Sequence, residues 1–153
     1  MKTLIVGLGN PILSDDGVGV KVAYCLRKRL LTHPDLTIKE ASAGGLRLLE
    51  MALGYDRVVL VDAICRKGGL PGVFSRLCLK DIAAMAPTQN LASAHDTSLT
   101  TAVEMGKRMG LDLPHEWIIY AVNVTHIDAF DDRLTAAVSR AVPRLVDTIL
   151  KDL

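Results

Sequence analysis

Three short segments carry side chains whose types and spacing could do chemistry. The first is Gly7-Leu8-Gly9-Asn10-Pro11-Ile12-Leu13-Ser14-Asp15-Asp16-Gly17-Val18-Gly19. The second is Asp62, which ends the apolar run Arg57–Val61, and the third is Ser93-Ala94-His95-Asp96. The first opens like a dinucleotide-binding turn. However, the third glycine of GxGxxG would fall at position 12, which is Ile, and two carboxylates stand at the mouth of the following helix. A phosphate binds where backbone N–H groups and the positive end of a helix dipole meet it, and Asp15 and Asp16 would repel it there. They would instead attract a cation. Asp16, Asp62 and His95 together offer two oxygens and a nitrogen, a set suited to a borderline divalent ion such as nickel or zinc. A closed structural zinc site typically uses four protein ligands, so three would leave room for something else.

Each of these residues also has a bland reading. An Asp before Gly-Val at a helix start is usually an N-cap that accepts backbone N–H bonds. Of the adjacent pair Asp15 is the better cap and Asp16 the better ligand, although spacing alone does not decide between them. An Asp closing a strand often only begins a loop, and a lone His in a polar loop is usually a surface residue. His126 follows the last strand and could reach the same crevice, whereas His33 and His115 sit in connecting turns beside prolines. No Ser lies in a GxSxG elbow and no Cys stands beside a His, which disfavours covalent catalysis.

Short β-rich runs alternating with helical patterns must position these groups. Thr3–Gly7, Leu36–Glu40, Arg57–Val61, Gly72–Leu79 and Trp117–Val122 read as strands, with Gly72–Leu79 at an edge. Helices are expected from Asp16-Gly17 to Leu30, over Gly45–Leu53 with Leu46, Leu49 and Leu53 on its inner side, and over Ser98–Met109. A last helix is expected over Asp132–Leu150, with a stripe of Leu134, Val138, Val142, Leu145 and Ile149 and a bend at Pro143. Ala83–His95 reads as loop. The expected architecture is α/β, a single three-layer domain over residues 1–153. Its mostly parallel twisted sheet has about five strands, with helices on both faces. In such sheets ligands sit beyond the carboxyl ends of the strands, where the strand order reverses. Neighbouring strands lie roughly 4.8 Å apart, so Asp16 and Asp62 could face each other there if the first and third strands are adjacent.

Composition narrows the function classes. Eighteen basic against seventeen acidic residues leave a net charge of +1, without the basic stripe that nucleic-acid binding requires. Arg27-Lys28-Arg29 reads as a solvated helix end. No apolar run is long enough to cross a bilayer. Cys25, Cys65 and Cys78 form no CxxC pair and read as buried, reduced thiols of a cytoplasmic protein.

The string Gly7-x-Gly9-Asn10-x-x-x-x-Asp15-Asp16-Gly17-x-Gly19 resembles the N-terminal signature of the hydrogenase maturation protease family. Gly45-Leu46-Arg47-Leu48-Leu49 resembles the family's glycine-led helix and Val59-Leu60-Val61-Asp62-Ala63 its third-strand motif. Pro71-Gly72 resembles its Pro-Gly pair, and Ser93-Ala94-His95 stands where the family has its histidine. The resemblance runs in order over essentially the whole chain. It implies an endopeptidase that removes a C-terminal peptide from the nickel-loaded large subunit of a nickel–iron hydrogenase. Asp16, Asp62 and His95 would be both the nickel contacts and the catalytic residues. Nickel would come with the substrate and no organic cofactor would be used; the partner is the large-subunit precursor, and the protein is expected to be a monomer. The chain departs from the family pattern at Glu40-Ala41-Ser42-Ala43-Gly44-Gly45, where many members have an acidic residue followed by Gly-Gly-Thr. Asp96 could orient the His95 imidazole. Two other readings compete. A nickel-sensing or chaperone-like module would dock on the same subunit without cutting it. Ile5-Val6-Gly7-Leu8-Gly9-Asn10-Pro11 also looks like the opening of peptidyl-tRNA hydrolases, but Ile12–Gly17 lacks that family's catalytic histidine.

Overall fold

Strands buried on both faces read as continuous apolar runs, and two of them form the centre of the sheet: β1 (Thr3–Leu8) and β3 (Arg57–Ile64), buried along their whole length. The computed structural model describes residues 1–30, 33–42, 44–85, 99–125 and 127–153. Its sheet has five strands in the order β2-β1-β3-β5-β4, with β2 at Leu36–Ala41, β4 at Phe74–Leu77 and β5 at Glu116–Asn123. β2, β1, β3 and β5 run parallel, and β4 pairs antiparallel with β5 at the edge. This is the expected architecture, edge strand included.

Alternation along the strands divides the core in two. Ile5, Val59, Val61, Ile118 and Tyr120 face α1 (Val18–Arg29) and α5 (Ala136–Asp152). Leu4, Val6, Val58, Leu60, Trp117 and Ile119 face α2 (Gly45–Ala52) and α4 (Leu99–Arg108). The expected stripe of Val138, Val142, Leu145 and Ile149 is the buried face of α5, and Pro143 lies inside that helix. Leu134 precedes the helix and packs on the same core from the connecting loop.

Several boundaries differ from expectation. α1 begins at Val18, preceded by a separate 3-10 turn, Ser14–Gly17. β3 does not stop at Asp62 but continues to Ile64, because β5 runs on beside it as far as Asn123. The inner face of α2 is Gly45, Leu48, Leu49 and Ala52, while Leu46 and Leu53 are exposed. A short helix, α3 (Leu79–Ala83), begins at the residue expected to end the edge strand and reaches the first residue of the segment expected to be loop. Its first turn is held by Asp81, whose carboxylate accepts the Cys78 N–H at 2.7 Å. Cys78 is therefore exposed rather than buried, and Cys25 and Cys65 are half-buried.

Candidate functional site

The strand order places β1 between β2 and β3, so the chain leaves β1 to one side first and returns on the other. That reversal opens a crevice at the carboxyl ends of β1 and β3. The ladder between them ends at Gly7 and Val61, whereas β3 stays paired with β5 beyond that point, Asp62 opposite Ala121. Asp62 is thus the first residue of β3 that no longer has β1 beside it. It is fully buried, on the face shared with Leu60 and Ile64, and its Oδ1 accepts the Ala63 N–H at 2.8 Å.

Close backbone approach seats the turn that carries Asp16 against β3. A Cβ on Gly19 would stand 2.3 Å from the Val61 carbonyl oxygen and 2.4 Å from that of Leu8; one on Gly7 would stand 2.2 Å from the Gly19 carbonyl oxygen. Only glycines let the start of α1 sit this low on the strand ends, and the 3-10 turn carrying Asp16 packs against β3 as a result. Gly9 has φ +132°, and a Cβ there would meet the Asp16 carbonyl oxygen at 1.8 Å. The glycines of the first motif are spacers for a carboxylate-bearing turn, not a phosphate cradle. Asp16 is 9% exposed, and its Oδ2 accepts the Asn10 N–H at 2.7 Å.

Asp15 is not the helix cap expected of it. Its carboxylate, fully buried, accepts the N–H of Thr135 at 2.7 Å and the Thr135 hydroxyl at 2.8 Å, 120 residues away at the start of α5. Neither the 3-10 turn nor α1 has a side-chain cap. The loop between β5 and α5 is laced to the same turn: the Ser14 N–H donates to the Asp131 carbonyl at 2.8 Å, and the Asp131 N–H to that of Ile12 at 3.1 Å. On this laced rim Ile12 is 54% exposed and Phe130 84%. Cys65, just past β3, lies close enough to feel the site. Burial, and behind it the charges of Asp128 and Asp16, push its thiol above the ordinary value, which makes it a poor nucleophile.

His95, Asp96 and His126 lie outside the described residues. Among the described residues no three His, Cys, Asp or Glu side chains gather to hold an ion by themselves, and none of the salt bridges to lysine or arginine involves Asp15 or Asp16. Asp16 and Asp62 are both buried, and carboxylate oxygens are ligands that suit a divalent ion. Glu40 lies beside Gly7 in the β1–β2 ladder. Its carboxylate pairs with Arg27 at 2.9 Å and lines an open groove of about 590 Å³ with Ser42, Leu46, Arg47 and Met51. Asn123 was not singled out from the sequence. It is buried on the Asp62 face of the sheet, where its Oδ1 accepts the Arg66 N–H at 3.1 Å.

The model of the hydrogenase maturation protease family matches residues 20–152. The chain belongs to that family. Among its maturation-protease relatives, the hydrogenase 2 maturation protease of Escherichia coli is 29% identical over 99 residues, 65% of this chain. The match spans only 59% of that protein's length. The hydrogenase expression/formation protein HupD of Rhizobium leguminosarum is 23% identical over 150 residues, covering 98% of this chain and 73% of HupD. The fold is that of the E. coli hydrogenase maturating endopeptidase HybD, with TM-score 0.78 at 22% identity over 100% of this chain and 92% of that one. It is also that of the hydrogenase maturation protease HycI from Thermococcus kodakarensis, with TM-score 0.70 at 25% identity over 98% and 90%. The family match begins after Asp16 and includes Asp62.

Proposed function

We propose that this maturation protease is an endopeptidase that removes a C-terminal peptide from the nickel-loaded large subunit of a nickel–iron hydrogenase. In this reading it identifies mature substrate by the nickel already seated there. The observation that supports the reading is that Asp62 is buried just past the end of the β1–β3 ladder while Asp16, also buried, lies on a turn packed against β3. Buried carboxylates are costly unless a positive charge or strong donors compensate them. Among the described residues Asp16 accepts the Asn10 N–H and enters no lysine or arginine bridge, and a cation carried by another protein would supply the missing counter-charge. His95 is assigned as the nitrogen contact from its motif. The exposed Ile12 and Phe130 beside the crevice offer apolar contact to a protein substrate.

Recognition and chemistry use the same groups. Asp16, Asp62 and His95 would hold the substrate's nickel, which would supply Lewis-acid polarisation of the scissile carbonyl or of an attacking water. That route suits a site whose neighbouring thiol, Cys65, is held protonated. We place the reaction in the cytoplasm. The three cysteines are free, and among the described residues no helix is long and apolar enough to cross a membrane.

A processing assay tests the proposal. Nickel-loaded precursor incubated with this protein should shift to a shorter band, and it should stay intact with His95→Ala. A wild-type protein that binds the precursor and leaves it uncut would defeat the protease reading in favour of a chaperone-like one.

A further inference from the structure

Asp15 and Asp16 are adjacent, both buried, and committed to opposite neighbours. Asp16 is oriented by the Asn10 N–H, next to β1, whereas both oxygens of Asp15 are bonded to Thr135 at the start of α5. The 3-10 turn that carries them is four residues long and has no side-chain cap. Such turns have poor internal hydrogen-bond geometry. Ser14 within it has φ 49°, a left-handed conformation that a residue with a Cβ keeps only when its surroundings enforce it. Local structure does not fix this turn. It is fixed by glycine-mediated packing on β1 and β3 beneath and by the α5 side laterally. There Asp15 makes two charge-assisted bonds to a single residue with near-ideal distances.

We propose that Asp15 is a positioning residue. By anchoring the 3-10 turn to Thr135 it sets where the Asp16 carboxylate stands relative to Asp62. The inference rests on the reading above, in which Asp16 contacts the substrate's nickel. A displacement of about 1 Å at a reacting geometry can cost on the order of a hundredfold in rate, so loss of the anchor should act on turnover more than on binding.

Two substitutions separate positioning from direct action. In Asp15→Asn the amide oxygen can still accept the Thr135 N–H and the amide nitrogen can donate to the Thr135 hydroxyl oxygen, which keeps the anchor without the charge. In Asp15→Ala both bonds are lost. Asp15→Ala should lower kcat for precursor processing on the order of a hundredfold with KM changed less than about threefold, and Asp15→Asn should stay within about threefold of wild type. A second readout needs no turnover. The Asn10 amide proton, bonded to Asp16 at 2.7 Å, should be shifted downfield and protected from exchange in wild type and Asp15→Asn, and lose both properties in Asp15→Ala. If Asp15→Ala does not fold, Thr135→Val removes only the hydroxyl bond and should give a partial loss in both readouts. Asp15→Asn as inactive as Asp15→Ala with its Asn10 amide intact would overturn the proposal, since the charge would then act directly. Unchanged turnover and an unchanged Asn10 amide in Asp15→Ala, or in Thr135→Val, would overturn it as well. A wild-type protein that cuts nothing would sink the proposed function, but the Asn10 amide comparison would still decide the role of Asp15.

Discussion

Two sets of carboxylates, Asp152 and Glu116 at one end of the molecule and Asp15 and Asp16 at the other, are treated in opposite ways. Where α5 finishes, acids are matched with cations from the chain itself. Asp152 receives Arg76 Nε at 2.9 Å and the Tyr120 hydroxyl, its carbonyl takes Arg57 at 3.0 Å, and Glu116 pairs with Arg57 at 3.1 Å. The lowered pKa of Asp152 follows, with the Tyr120 hydrogen bond as its main cause and Arg76 second. At the crevice, Asp15 and Asp16 are more deeply buried, and among the described residues they are served by N–H and O–H groups alone. A carboxylate placed for stability is given its counter-charge. A carboxylate kept in place by neutral donors remains available to a cation from outside, and on the proposed reading the contrast separates an end that ties the fold together from one that would meet the substrate.

The sharpest way to break that contrast is to neutralise one acid at each end. Asp16→Asn or Asp62→Asn should reduce precursor processing at least on the order of a hundredfold, with no loss of thermal stability, because a buried charge is removed and the shape is kept. Asp152→Asn should do the reverse, lowering the melting temperature while processing continues at the wild-type rate. A stability loss in Asp16→Asn matching that of Asp152→Asn would erase the distinction.

Gly19→Ala comes next. The new Cβ would meet backbone oxygens of Val61 and Leu8 at 2.3 and 2.4 Å, and a backbone nitrogen of Leu8 at 2.8 Å. None of these is the end of a flexible side chain that could move aside. Overpacking of this kind costs about 3 kcal/mol, a fall of roughly 6–12 °C in melting temperature at this chain length. Gly110→Ala is the control. That glycine has a positive φ, +69°, which Gly19 does not, but a Cβ there meets nothing within 4 Å, so the cost is confined to backbone strain of about 1 kcal/mol. Equal losses from the two would mean that the start of α1 does not rest on the strand ends as described.

The same contrast explains what was legible in the sequence. β1, β3 and β5 announced themselves because strands buried on both faces are apolar throughout, and the parallel sheet followed from alternating strands and helices, whereas the strand order did not. Asp62 was located correctly but read as a terminator, since a single chain does not reveal that β5 continues beside it. The role of Asp15 was hidden for a stronger reason. Its local pattern is that of a cap, and its partner Thr135 is separated by 120 residues, so only the folded chain brings them together. α2 misled through excess, because leucines at 46, 48, 49 and 53 satisfy more than one helical face. α3 was missed because five residues are too few to show a period. Its capping pair of Cys78 and Asp81 also lacks the Ser or Thr that normally marks such a start.

The smallest effect concerns the end that ties the fold together, and pH is its probe. Burial, with the Asp152 carboxylate behind it, pushes the Tyr120 phenol up to about 12. The folded state therefore favours the protonated phenol relative to an unfolded chain, in which tyrosine ionises near its ordinary value of about 10. The resulting stability is fully present below about pH 10 and is lost as pH rises from there through about 12. Tyr120→Phe should cost about 1 kcal/mol at neutral pH, the net worth of one hydrogen bond to a partly exposed carboxylate. Wild type and Tyr120→Phe should then converge in urea midpoint as the pH is raised through that window. Processing at neutral pH should not change, since the hydroxyl bonds to the end of α5 and the crevice lies at the carboxyl ends of β1 and β3. A variant that loses processing without losing stability would place Tyr120 in the substrate's path, and the division of labour between the two ends would have to be redrawn.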